Sequence, residues 1–194
     1  MELRPLLIGF LGLALYPAWL AAGALDYYCH RRTDIEHTSG PVESWLHVAQ
    51  FICIAMIIAF AMLVEITLTV WIVMLVVALT HSTLAFIDVS YTDKRRWISP
   101  LEQLAHGFLD VIPLMTVGLL GVMSWAQLKA DAGAFALYES IAPGVQAWVL
   151  ASFGVLAGGP ILEELLRSLR ARREWGANSV NNPLVDLSDR RASS

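Results

Sequence analysis

Five apolar runs dominate this 194-residue chain and decide what it can fold into. A helix needs about 20 mostly apolar residues to cross a hydrocarbon core of about 30 Å. Runs at about 5–28, 43–63, 66–90, 100–126 and 144–166 approach or exceed that length. In lipid every backbone polar group must be satisfied within the chain, so each run is read as a helix. The expectation is an all-α, polytopic bundle of five transmembrane helices. Residues 1–174 form the helical domain, and the polar stretch 175–194 forms a loosely ordered tail. At 57% hydrophobic residues, the composition exceeds what a soluble domain of this length needs.

The first run also has the outline of a signal peptide, with Arg4 ahead of it and Ala22-Gly23-Ala24 as a cleavage-like site. Its apolar stretch is longer than a usual signal core, and more positive charge follows it than precedes it, so it is read as a helix. Of the 13 Lys and Arg residues, only Arg4 and Lys129 lie outside three segments: Arg31–Arg32, Lys94–Arg96, and the stretch from Arg167 onward. With five spans those segments share one face, and the positive-inside bias makes it cytoplasmic, with the N-terminus outside. The expected location is a bacterial inner membrane. A net charge of −4 gives no reason to expect a nucleic-acid partner.

Local signals refine the picture. Pro17 should kink or locally break the first helix. Ser39 or Gly40 caps the second, a tight turn near Glu65 separates the second from the third, and Ser99-Pro100 starts the fourth. Glu163 and Glu164 are expected to pair with Arg167 or Arg170 on the fifth helix. Trp97 and Trp125 read as interface anchors, and Arg31, Arg32, Arg95 and Arg96 as topology determinants or a site for an anionic head group.

The ionisable residues inside the spans form a pattern. The first helix carries Asp26 and His30, the second Glu43 and His47, the third His81 and Asp88, and the fourth Glu102, His106 and Asp110. Spacings of four, seven and eight return to one helix face at 3.6 residues per turn. All four stripes also end on the same side of the membrane. A charged side chain at a helix centre costs about 2.5–3.5 kcal/mol on insertion scales, so nine such groups need compensation.

Two divalent metal ions would offset the carboxylates Asp26, Glu43, Asp88, Glu102 and Asp110 almost completely, with neutral histidines as further ligands. The helix rise puts His30, Glu43, Asp88 and Glu102 in a shallow layer, and Asp26, His47 and His106 about 6 Å deeper. His81 and Asp110 lie deepest. Glu36 and His37, in the intervening loop, are possible additions to the site.

This layout resembles two kinds of metal bundle. Ferritin-like di-iron proteins combine glutamates with a Glu-x-x-His motif; here the acid-to-histidine spacing is four. Membrane fatty-acid desaturases and alkane hydroxylases hold two irons near the cytoplasmic face, but with histidine boxes that this chain lacks. There is a fainter similarity to zinc-dependent membrane amidases of the alkaline ceramidase type. The resemblance covers residues 26–110.

It implies a di-metal oxidoreductase, iron first with zinc or manganese possible, that hydroxylates or desaturates an apolar, lipid-like substrate. A separate cytoplasmic partner would donate electrons. The alternatives are a zinc-dependent membrane lipid hydrolase and a non-enzymatic metal- or tetrapyrrole-binding subunit of a larger complex.

Overall fold

The computed structural model describes residues 3–130 and 141–181. Its elements are all helical, and five helices are long and apolar enough to cross a membrane. We number these α1 (Leu3–Thr33), α2 (Pro41–Leu63), α3 (Leu68–Thr92), α4 (Pro100–Met123) and α5 (Pro143–Trp175). The helical run of α5 continues to Asn181, so it passes through the expected 174/175 boundary; residues 182–194 of the expected tail lie outside the described residues.

Each helix begins and ends for a local reason. Both α1 and α5 carry a π-helical turn, at Leu11–Leu15 and Gly154–Gly158. Pro17 and Pro160 follow those turns, and a proline lacks the N–H that closes the preceding turn and crowds the carbonyl four residues back. The helix widens rather than breaking.

At its other end α1 runs to Thr33, five residues past the apolar run, and stops at Asp34 in the left-handed region (φ 54°). Gly40, at φ 68°, turns the chain into α2, with Pro41 in the first turn. Thr67 Oγ1 accepts from Val70 N and caps α3, and Ser99 Oγ accepts from Glu102 N and caps α4. The α2–α3 turn falls at 64–67, around Glu65 as expected.

Packing pairs α2 with α3, α1 with α4, α3 with α4, and α5 with α2. The apolar core lies toward the α2–α3 turn and includes Trp19, Ile57, Met74, Val117 and Phe153. Outward faces are apolar as well: Leu13 is 85% exposed and Phe86 74%. A surface of that kind marks contact with lipid or protein rather than water. The alternation of helix direction brings the C-terminal ends of α1 and α3 beside the N-terminal ends of α2 and α4.

Candidate metal centre

His30 is the hub of these helix ends and is 1% exposed. Its Nδ1 lies 2.9 Å from Glu164 Oε2. Its Nε2 faces Glu102 Oε1 at 3.4 Å, Asp26 Oδ1 at 3.5 Å and Glu43 Oε1 at 3.7 Å, with a hydrogen bond to none of them. His47 is held the same way: Nδ1 is 2.7 Å from Glu164 Oε1, and Nε2 is 3.1 Å from Asp88 Oδ2. His106 Nε2 and Asp26 Oδ1 approach to 3.0 Å without hydrogen-bonding alignment, so both buried atoms lack a hydrogen-bond partner.

Stereochemistry brings the expected shallow and deep layers together. Side chains on a helix lean toward its N-terminus. His30 and Asp88, near helix C-termini, therefore lean inward, while His47, near the start of α2, leans outward. The His30 and His47 rings accordingly stack, 4.7 Å apart and 3° from parallel.

Glu164 corrects the sequence reading. Expected to pair with an arginine one turn along α5, it is instead 2% exposed and spans the Nδ1 atoms of His30 and His47. Ser44 and Ser168 hold α5 against α2 beside it, their hydroxyls 2.8 Å apart. An ionised carboxylate only accepts hydrogen bonds, so both Nδ1 atoms carry the proton; the His30 Nε2 lone pair turns into the cluster, while His47 Nε2 is hydrogen-bonded to Asp88 Oδ2. Carboxylates commonly orient metal-binding histidines in this way. Glu163 does take the expected role, lying 3.3 Å from Arg167 Nε and 3.2 Å from Arg31. Tyr27 Oη also donates to it.

Arg96 is the second residue whose place differs from expectation. Rather than facing a membrane surface, it is 8% exposed and reaches in from the α3–α4 loop. Nη2 donates to Glu43 Oε1 at 2.6 Å and to Glu102 Oε1 at 2.5 Å. Burial alone would lower its pKa; the hydrogen bonds to Glu102 and Glu43 outweigh that and raise it above the ordinary arginine range. Ser39 Oγ also donates to Glu43 Oε2.

Asp26, His30, His47, His81, Asp88, His106, Asp110 and Glu164 line one cavity of about 90 Å³. Seven of the nine sequence-derived residues are in that set. The other two, Glu43 and Glu102, are fully buried beside His30 Nε2 and are tied together by Arg96. His81 and Asp110 sit at the apolar end, 3.8 Å apart and lacking hydrogen-bond partners at the facing atoms.

The loop residues stay apart from the cavity. Glu36 pairs with Arg167, and His37 Nδ1 lies 3.0 Å from Asp34.

Ligand atoms close enough to share one ion occur in two buried sets: Asp26, His30, Glu102 and His106, and His30, Glu43 and His47. These buried groups could hold a metal ion, and the unpartnered Nε2 atoms facing carboxylate oxygens fit a cation between them. Glu164 adds one negative charge to the cluster and Arg96 one positive, so the balance read from the sequence is unchanged.

Comparisons of the chain with protein-family models, curated proteins and solved structures return no match.

Proposed function

We propose that this chain is an integral-membrane enzyme whose carboxylate–histidine centre binds two divalent metal ions, iron foremost. Its reaction would be hydroxylation or desaturation of an apolar, lipid-like substrate. The observation that carries the metal centre is the pair of histidine nitrogens at His30 and His106, buried, facing carboxylate oxygens and without a hydrogen-bond donor or acceptor of their own. Buried nitrogen and carboxylate oxygen atoms held 3.0–3.7 Å apart without a hydrogen bond between them are left unsatisfied, and a cation between them would satisfy both. Nitrogen and oxygen ligands without a thiolate suit iron, manganese or zinc.

An apolar substrate is supported by the surroundings of the cluster. Trp19, Phe51, Ile54 and Leu109 wall the metal cavity. Trp19 and Ile54 also line an adjoining apolar cavity of about 530 Å³, which runs past Ile57 and Ile58 toward Val64. A hydrocarbon chain lying there would point its end at the cluster. Bound iron would supply dioxygen activation; the chain's own residues position the substrate, exclude water and hold protons at the Nδ1 atoms of His30 and His47.

Arg31, Arg32 and the residues from Lys94 to Arg96 lie at the metal end, as does Arg167. With the positive-inside bias, this charge supports a centre toward the cytoplasm, within reach of a soluble electron donor.

The test is metal analysis of detergent-purified protein beside Asp26→Asn and His106→Gln. Two irons per chain, lost in the variants while helicity is kept, is the expected result. Stoichiometric zinc would redirect the reading to hydrolysis. A folded wild type that takes up no divalent metal would overturn it.

A further inference from the structure

Among the described residues, Arg96 is the one arginine or lysine that the fold brings into the cluster, and it lies where a metal would bind. The two oxygens that receive its Nη2, Glu43 Oε1 and Glu102 Oε1, are the same two that face His30 Nε2 at 3.7 and 3.4 Å. Its fit is incomplete: Arg96 Nη1 and Glu102 Oε2 are buried without hydrogen-bond partners. A built-in structural ion pair would normally satisfy such atoms.

The two ligand sets also share His30. Glu164 holds its Nδ1, which leaves a single Nε2 lone pair to serve a single ion. The inner set of Asp26, His30, Glu102 and His106 can close around a metal with Arg96 in place, because Glu102 keeps Oε2 unpartnered while Arg96 holds its Oε1. Glu43 has both oxygens engaged, Oε1 by Arg96 Nη2 and Oε2 by Arg96 Nε and Ser39 Oγ, so the outer position on Glu43 and His47 cannot fill while the guanidinium stays.

Arg96 has a means of leaving. It sits in the short connection between Thr92 and Pro100, anchored by its backbone N–H to Thr92 O at 3.0 Å. Its neighbours in sequence are solvent-side residues: Arg95 stacks on Tyr91, with its guanidinium carbon 3.4 Å from the ring centroid, and Trp97 is 73% exposed. Rotation of one long side chain, without movement of a helix, would take the charge to the surface.

We infer that the two metal positions are unequal, and that the Arg96 guanidinium is the resident cation of the outer one: a first divalent ion binds beside it, and a second binds only as Arg96 withdraws. This rests on the metal-centre reading but goes beyond it, because it assigns an order of loading and a residue that controls it. Removing Arg96 takes away a competing cation and frees two carboxylate oxygens. The second ion should then bind more tightly, whereas a purely structural arginine would weaken metal binding or unfold the protein when removed.

The experiment is titration of the full-length protein in detergent with Mn²⁺ alone, followed by electron paramagnetic resonance. Wild type should take one ion tightly, with the spectrum of an isolated Mn²⁺, and a second far more weakly. Arg96→Gln should bind the second roughly tenfold or more tightly and show a spin-coupled pair. Arg96→Lys, which keeps the charge but loses the planar fork spanning both carboxylates, should fall between the two and serves if the glutamine variant does not fold. Equal affinities for both ions in wild type, or an unchanged second affinity in the variants, would overturn the inference. Mn²⁺ uptake by none of the three proteins would instead defeat the metal-centre reading itself.

Discussion

Glu164 shows how much one side chain can decide. By accepting from Nδ1 of both His30 and His47, it orients two rings at once and aims both Nε2 atoms at carboxylates. Glu164→Gln keeps the shape, but the amide has only one acceptor oxygen and must turn its NH₂ toward one of the rings. Loss of such an orienting partner lowers metal affinity about 10–100-fold. The expected outcome is a drop of that size in a chelator-competition titration, with an unchanged far-ultraviolet circular dichroism spectrum. Retained affinity would mean that Glu164 is a packing residue. In sequence, Glu163 and Glu164 are adjacent acids four and three residues before Arg167, a pattern that reads as helix-surface pairing. Only the rotation of α5 against α2 separates them, turning Glu163 toward Arg31 and Glu164 inward.

Whole helices stand or fall on close approaches of a different kind. Trp71 on α3 lays its indole across α4 at Gly121 and donates from Nε1 to Val117 O at 3.0 Å. A Cβ added at Gly121 would lie 2.5 Å from that nitrogen. The ring would have to move and give up its hydrogen bond. Overpacking of this sort costs about 1–3 kcal/mol, so Gly121→Ala should lower the thermal midpoint in detergent while leaving the ligand residues in place. An unchanged midpoint would show that the Trp71 indole shifts to admit the methyl group without cost.

Helix starts were legible from sequence because caps are local chemistry: Ser99-Pro100 begins α4 as expected. The end of α1 was legible only in part: the acid–histidine spacing put His30 on the first helix, but hydropathy stops near residue 28 and carries no signal for the run on to Thr33 and the left-handed Asp34. That extra turn and a half holds Cys29 and His30, both buried, at the level of Glu43 and Glu102.

The molecule as a whole brings its histidine-rich helix ends to one side of the bundle. With the cytoplasmic assignment proposed above, a single cysteine at Lys129, which is exposed beyond α4, faces outward, and one at Arg173 on α5 faces inward. A membrane-impermeant maleimide applied to intact cells should label Lys129→Cys, and should reach Arg173→Cys only after permeabilisation. The reverse pattern would place the cluster on the outer side and remove the case for a cytoplasmic electron donor.

Composition and periodicity determined that the chain makes five long apolar helices, and that acids and histidines line one face of four of them. Both follow from local rules, bilayer thickness and the 3.6-residue turn, that act within each segment. Tertiary structure alone decided that α5 supplies the carboxylate behind two histidines, and that Arg96 folds inward onto Glu43 and Glu102. Those contacts join residues 53 to 134 positions apart, along with a near neighbour across the α3–α4 loop. Their partners are chosen by how the helices rotate and lean against each other, which no single segment encodes.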